Sequence, residues 1–183
     1  MRMTDIELKN RGNKLFSARK FEEAIKCYSD AIARKPTVAI YYTNRALCNL
    51  KLKRWDLVCQ DCRTALELDP MLVKAHFFLG QSLLETDNYD ESIKHLQRAQ
   101  DLAKEQKVNY GDDIAFLIRV ARKKRFNVAE EKRISQEIEL QVRYIYIYIY
   151  IYIYIYIYIY IYILYIYIYI YIYIYIFLGV VID

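Results

Sequence analysis

The chain has 183 residues, with 27 Lys and Arg against 22 Asp and Glu, a net charge of +5. Every basic residue falls before residue 144, where 27 bases meet 21 acids, so a net +6 is spread through the first 143 residues. So modest and interspersed an excess reads as a solvated surface rather than a nucleic-acid footprint, and no apolar run resembling a secretory signal opens the chain. Four cysteines, Cys27, Cys48, Cys59 and Cys62, sit among helix-forming residues and read as free thiols in a reducing compartment. Cys59-Gln-Asp-Cys62 has the C-x-x-C form, but no second pair completes a four-ligand zinc site. No metal, cofactor or catalytic residue is expected.

In chain order, the first organised stretch is Leu8 to Phe16. Leu8, Gly12 and Leu15 share one helical face, and Gly12 leaves a dent in it where a second helix can lie close. Lys9 and Asn13 stack one turn apart on another face, a cation beside an amide, which suits a carboxylate. Phe21, Ala24, Tyr28 and Ala31 then mark an amphipathic second helix that Pro36 stops.

These features recur at an interval of 34 residues: Pro36 and Pro70; Ala31, Ala65 and Ala99; Phe21, Trp55 and Tyr89; Gly12, Ala46 and Gly80. A 34-residue helix–turn–helix period is that of the tetratricopeptide repeat (TPR), and the sequence resembles TPR proteins over roughly residues 5–104. One such hairpin cannot bury its apolar face alone, whereas three stacked ones can. The expectation is an all-α fold: a three-repeat TPR α-solenoid over 4–104 (about 5–38, 39–72 and 73–104), its concave groove lined by the first helix of each hairpin.

Asn109 to Asp113 reads as a turn with an aspartate N-cap, followed by a long helix from Ile114 to about Leu140. In this capping segment, 105–143, Phe116, Leu117, Val120 and Ala121 would close the open end of the solenoid. Arg122-Lys123-Lys124-Arg125 reads as a solvated helix face, with a nuclear address or an acidic-partner patch as alternatives. From Tyr144 to Ile176 the chain then alternates Tyr and Ile, with one phase slip at Ile163-Leu164. Period two is a strand signature, but neither face is polar. As a membrane span the tract is long enough, yet tyrosine at every second position suits hydrocarbon poorly. As a soluble segment it is an aggregation hazard. An alternating T and A dinucleotide tract translates as Tyr-Ile without a stop, so the tail over 144–183 reads as repeat DNA carried past a broken exon boundary, a gene-model artefact.

Placing the repeats in register sets Lys9 and Asn13 beside Asn44 and Lys74. Two ammonium groups and two amides facing one groove suit a dense anionic end, such as a C-terminal aspartate with its two carboxylates. This arrangement resembles the dicarboxylate clamp of TPR co-chaperones, which grip the Glu-Glu-Val-Asp terminus of the cytosolic seventy- and ninety-kilodalton heat-shock chaperones. Tyr41-Tyr42-Thr43-Asn44-Arg45-Ala46-Leu47-Cys48, Val73-Lys74-Ala75-His76-Phe77-Phe78-Leu79-Gly80-Gln81, Leu102-Ala103-Lys104-Glu105-Gln106 and Gly111-Asp112-Asp113-Ile114 narrow the resemblance. Over about residues 4–140 the chain is similar to the CHIP-type co-chaperone ubiquitin ligases, a TPR and U-box family. Phe78 stands where many clamps carry a second basic residue, as it does in that family. The resemblance implies that Ile40, Phe77 and Tyr110, with Phe16 and Phe78, contact the peptide's apolar side chains and that Asp113 adds a polar contact.

The pattern departs from that family near Leu140, before its helical-hairpin dimerisation segment and U-box. These residues are therefore expected to bind a chaperone tail in the cytoplasm without transferring ubiquitin. If the intact gene product continues into a U-box, it is an active ligase that also recruits a ubiquitin-conjugating enzyme. If the Tyr-Ile tract is an anchor, the protein is a membrane-attached TPR protein.

Overall fold

The computed structural model describes residues 3–110 and 112–182. Gly111 of the turn at 109–113 and Asp183 at the end of the tail lie outside them. The chain divides into two units, 1–128 and 129–183.

The first unit is three helical hairpins and the start of a seventh helix. The hairpins are α1 (Asp5–Ser17) with α2 (Phe21–Arg34), α3 (Ala39–Lys51) with α4 (Trp55–Leu68), and α5 (Val73–Glu85) with α6 (Tyr89–Glu105). Helix α1 begins in a reciprocal cap: the Glu7 amide donates to Thr4 Oγ1 at 3.2 Å, and the Thr4 amide donates to the Glu7 carboxylate at 2.7 Å. This satisfies two of the amides that a helix start leaves without partners. Helices α2 and α4 end just before Pro36 and Pro70, which cannot extend the hydrogen-bond ladder. Between the helices of each hairpin one residue takes a left-handed conformation: Arg19 (φ 59°), Lys53 (φ 57°) and Asp87 (φ 60°). The next amide then reaches back to close the helix, as in Lys20 N–H to Leu15 O at 2.9 Å and Arg54 N–H to Asn49 O at 2.9 Å.

Each hairpin closes by matching a small residue on its first helix with a bulkier one on its second. A methyl placed on Gly12 would meet the Tyr28 ring at 2.6 Å, and one on Gly80 would meet Leu96 at 2.6 Å. In the second hairpin Ala46 and Cys62 occupy these places, both fully buried in one cluster with Val58, Leu79 and Leu83. Burying one Leu or Val side chain contributes roughly 1.5–3 kcal/mol, and successive hairpins share these clusters, so none of the three folds its apolar face alone. The four cysteines are all buried and free. Burial pushes the Cys48 thiol up to about 12 and raises those of Cys27, Cys59 and Cys62, so they behave as small core residues.

A part-buried network joins α2, α3 and α4. Arg45 donates to Asp61 through Nε (3.0 and 3.2 Å) and a terminal nitrogen (2.6 Å), and to Ser29 Oγ at 3.0 Å. This forked pairing uses the planar geometry that lysine lacks.

Helix α7 runs Asp113–Ile182. In its first turns Ile114, Ile118 and Ala121 are buried against Val73, Leu84, Ile93, Leu96 and Leu102, with Leu117 and Val120 partly covered. Phe116, expected in this cap, is 56% exposed. The reason is angular: two residues from Ile114 and from Ile118, it stands about 200° around the helix from both.

The second unit is the remainder of α7. Arg133 pairs along the helix with Glu130 (2.8 Å) and Glu137 (3.1 Å), which supports the charged portion. The helix does not stop near Leu140, as the sequence pattern suggests, but includes the Tyr-Ile tract. Within one continuous segment only a helix satisfies the backbone groups without a second strand. At 3.6 residues per turn, alternation scatters Tyr and Ile around the whole circumference. Tyr144 to Leu178 are all at least 40% exposed. By length and composition the helix could cross a membrane: 113–179 has a mean hydropathy of 2.1 in its most apolar window, none of it buried.

Candidate functional site

Two adjacent clefts lie in the first unit. The first, about 280 Å³, is walled by Ile40, Thr43 and Asn44 of α3, Leu72, Val73 and Lys74 at the start of α5, and Gln106, Val108 and Tyr110 from the segment after α6. The second, about 310 Å³, is lined by Leu47 and Lys51, by Phe77, Phe78 and Gln81 of α5, and by Asp113, Phe116 and Leu117 of α7. Phe77 links them, its ring 5.8 Å from both Tyr110 and Phe78.

Helix α1 adds amide chemistry beside the first cleft. Asn13 Oδ1 accepts from the Tyr28 hydroxyl at 2.7 Å and from Asn44 Nδ2 at 3.5 Å. Tyr28 is buried, and that burial pushes its phenol far above the ordinary value, so the hydroxyl stays protonated and donates. With Oδ1 thus committed, Asn13 presents its Nδ2 protons outward. The same tyrosine ring fills the dent at Gly12, so packing of the first hairpin sets the orientation of a polar group at the site. Lys9, one turn before Asn13, is half-buried, and Lys74 is exposed. Neither lysine has a carboxylate partner among the described residues, whereas Arg45, Arg54, Arg63 and Arg125 each have one and Arg133 has two.

Eight of the ten residues singled out from the sequence fall into three groups, and Lys9 lines neither cleft. Asn13 and Asn44 touch; Ile40, Asn44, Lys74 and Tyr110 share the first cleft; Phe77, Phe78 and Asp113 share the second. Phe78 is only 8% exposed and is as much core as cleft wall. Phe16 packs against Phe21 across the first turn, ring centres 5.4 Å apart, and lines neither cleft. Sequence pattern did not reveal Leu72, Gln106 or Val108, which lie where no helical period operates. Gln106 Nε2 donates to Met71 O at 2.7 Å, tying the segment after α6 to the α4–α5 turn and holding that side of the cleft. Ammonium and amide donors on one side and apolar walls on the other can receive an anionic group attached to a partly apolar chain.

The chain belongs to the tetratricopeptide repeat family, whose model matches residues 10–57 and 62–106. The model described as the CHIP N-terminal tetratricopeptide repeat domain matches residues 121–149. E3 ubiquitin-protein ligase CHIP of Arabidopsis thaliana is 46% identical over 97 residues, 53% of this chain and 35% of the relative, so this chain spans about a third of that relative's length. Two solved chaperone complexes have the same fold. One is the first TPR of Spaghetti (RPAP3) bound to the HSP90 peptide SRMEEVD, with TM-score 0.61 and 27% identity over 66% of this chain and 91% of that one. The other is the TPR2B-domain:pHsp70 complex of yeast Sti1, with TM-score 0.62 and 26% identity over 67% and 98%. The resemblance to CHIP-type proteins read from the sequence is matched by that family model and that relative, and the solved neighbours share the TPR fold.

Proposed function

We propose that the first unit is a co-chaperone module that binds the C-terminal Glu-Glu-Val-Asp tail of seventy- and ninety-kilodalton heat-shock chaperones in the cytoplasm. The observation that carries it is the pair of touching amides, Asn13 and Asn44, oriented by Tyr28, with Lys74 in the cleft beside Asn44 and Lys9 one turn before Asn13. Lys9 and Lys74 hold the terminal carboxylates, Asn13 and Asn44 donate to them, and Ile40 and Tyr110 receive the adjacent apolar side chain. Phe77, Phe78 and Asp113 line the path of the residues upstream. The HSP90 peptide SRMEEVD of one solved neighbour, which ends in Glu-Glu-Val-Asp, and the pHsp70 complex of the other support this choice of ligand.

Titration calorimetry with the peptide SRMEEVD tests it. Lys74→Ala and Lys9→Ala each remove a charge that meets a partly desolvated carboxylate, so each is expected to cost on the order of 2–5 kcal/mol of binding. Lys123→Ala, in the basic run of α7, is the control and should bind as the parent does. A peptide with an amidated terminus should bind much more weakly, because one of its carboxylates is gone. Equal affinity for free-acid and amidated peptides would remove the clamp.

A further inference from the structure

The Tyr-Ile tract is a long exposed apolar surface, and chaperone-tail binding makes no use of it. Its tyrosines and isoleucines from Tyr144 to Ile176 are 40–73% exposed. As a helix the tract offers no seam to a partner helix. Helix pairing uses positions three and four apart, and in a repeat of 2.0 those three apart pair an Ile with a Tyr, so no seam of one residue type forms. Between Tyr144 and Ile176 no charge, proline or glycine interrupts it.

Extended, the same residues sort completely. One face carries only Tyr and the other only Ile up to Ile163, after which the slip at Ile163-Leu164 exchanges the faces. A bulge of one residue at that slip would restore them, because a bulge sets two residues of one strand opposite one of its neighbour. An identical chain stacked in register would place Tyr on Tyr and Ile on Ile all along the tract, the self-matching that builds dry zipper interfaces. A single chain could pair only its own two halves, in a hairpin about Ile163-Leu164 that is marginal by itself and leaves its faces uncovered, and the tract is helical here; several chains can extend the sheet and cover those faces.

We infer that the tract is a self-association surface whose partner is a second copy of this chain, and that association converts it from helix to intermolecular β-sheet. Backbone hydrogen bonds within the helix are exchanged for bonds between chains, so nothing is lost from the backbone while the exposed isoleucine face becomes buried.

The test uses the full chain, purified under denaturing conditions and returned to buffer. Sedimentation, infrared spectroscopy and fibre diffraction are the readouts. The full chain should sediment as assemblies, show intermolecular β absorption and give a reflection near 4.7 Å. Two variants separate order from mere hydrophobicity. In the first, Ile149→Lys, Ile153→Lys, Ile157→Lys, Ile168→Lys and Ile172→Lys put charge on the isoleucine face, and this chain should stay monomeric and helical. In the second, the tract keeps its composition but its Tyr and Ile are shuffled out of period two; any aggregates it forms should lack the 4.7 Å reflection. A monomeric full chain would overturn the proposal, as would assemblies that stay helical or a shuffled tract that forms the same sheet. Flotation of the full chain as a helical monomer with phosphatidylcholine–phosphatidylserine vesicles would assign the surface to a membrane instead.

Discussion

At the scale of the residue, Tyr28 joins the stability of the first hairpin to the chemistry of its groove. Its ring occupies the space over Gly12, and its hydroxyl fixes Asn13. Tyr28→Phe keeps the ring and deletes the donor, so stability should fall by about 1 kcal/mol. Affinity for SRMEEVD should fall several-fold, because the Asn13 amide is then free to turn. Calorimetry showing unchanged affinity would exclude the orienting role. Gly12→Ala should cost about 1–3 kcal/mol, since the Tyr28 ring lies where the new methyl must go. Changing Tyr28 to Cys as well copies the Ala46 and Cys62 combination of the second hairpin, so in a urea-unfolding cycle the double variant should be more stable than the two single losses predict. Gly12, Lys9 and Asn13 were legible from spacing along one helix. The hydroxyl of Tyr28 was not: it acts across 15 residues of chain, and local periodicity reports only that its position is buried.

At the scale of the element, the pairing of α5 with α6 contains a titrating contact. His76 and His95 lie with ring centres 5.2 Å apart and Nδ1 atoms 3.0 Å apart, and His76 Nε2 faces Pro70 O at 3.2 Å. If Nε2–H of His76 donates to Pro70, its Nδ1 is an acceptor, and the His95 Nδ1–H completes the chain with both rings neutral. Burial, first of all, lowers both values; on His76 the Pro70 hydrogen bond opposes and Arg98 adds to the lowering, and on His95 His76 and Arg63 lower while Glu91 opposes. The unfolded chain therefore takes up protons that the folded one resists. Stability from this pair is complete above the unfolded value of 6.5 and is lost as pH falls below it. Urea midpoints measured from about pH 7.5 down to about pH 5.5 should fall, and His95→Gln should flatten that slope. A slope unchanged in the variant would assign the acid sensitivity to other groups. Neither this pair nor the left-handed turns at Arg19, Lys53 and Asp87 could be read from sequence. The turns lack the glycine that normally marks such backbone, and the two histidines fall outside every 34-residue ladder.

At the scale of the molecule, the fold was legible because stacked repeats announce themselves: small, aromatic and proline positions recur together, and each has a packing reason. The tail was less so, because its only period belongs to strands while an isolated chain satisfies its backbone as a helix. The capping turns of α7 are part of the first unit, so residues 1–143 should fold without the tract. Circular dichroism of that fragment should be mostly helical and melt in one transition; a strand or coil spectrum would contradict this. A chain built of three near copies also faces a hazard that a unique fold does not, since one hairpin can take another's partner while folding. Here the three small-to-large pairs differ: Gly12 with Tyr28, Ala46 with Cys62, Gly80 with Leu96. Tyr28 brought over Ala46 would find a methyl where its ring needs space, and Cys62 brought over Gly12 would leave a void. The pairs work as keys of different cut, sorting each helix to its own neighbour while the solenoid assembles.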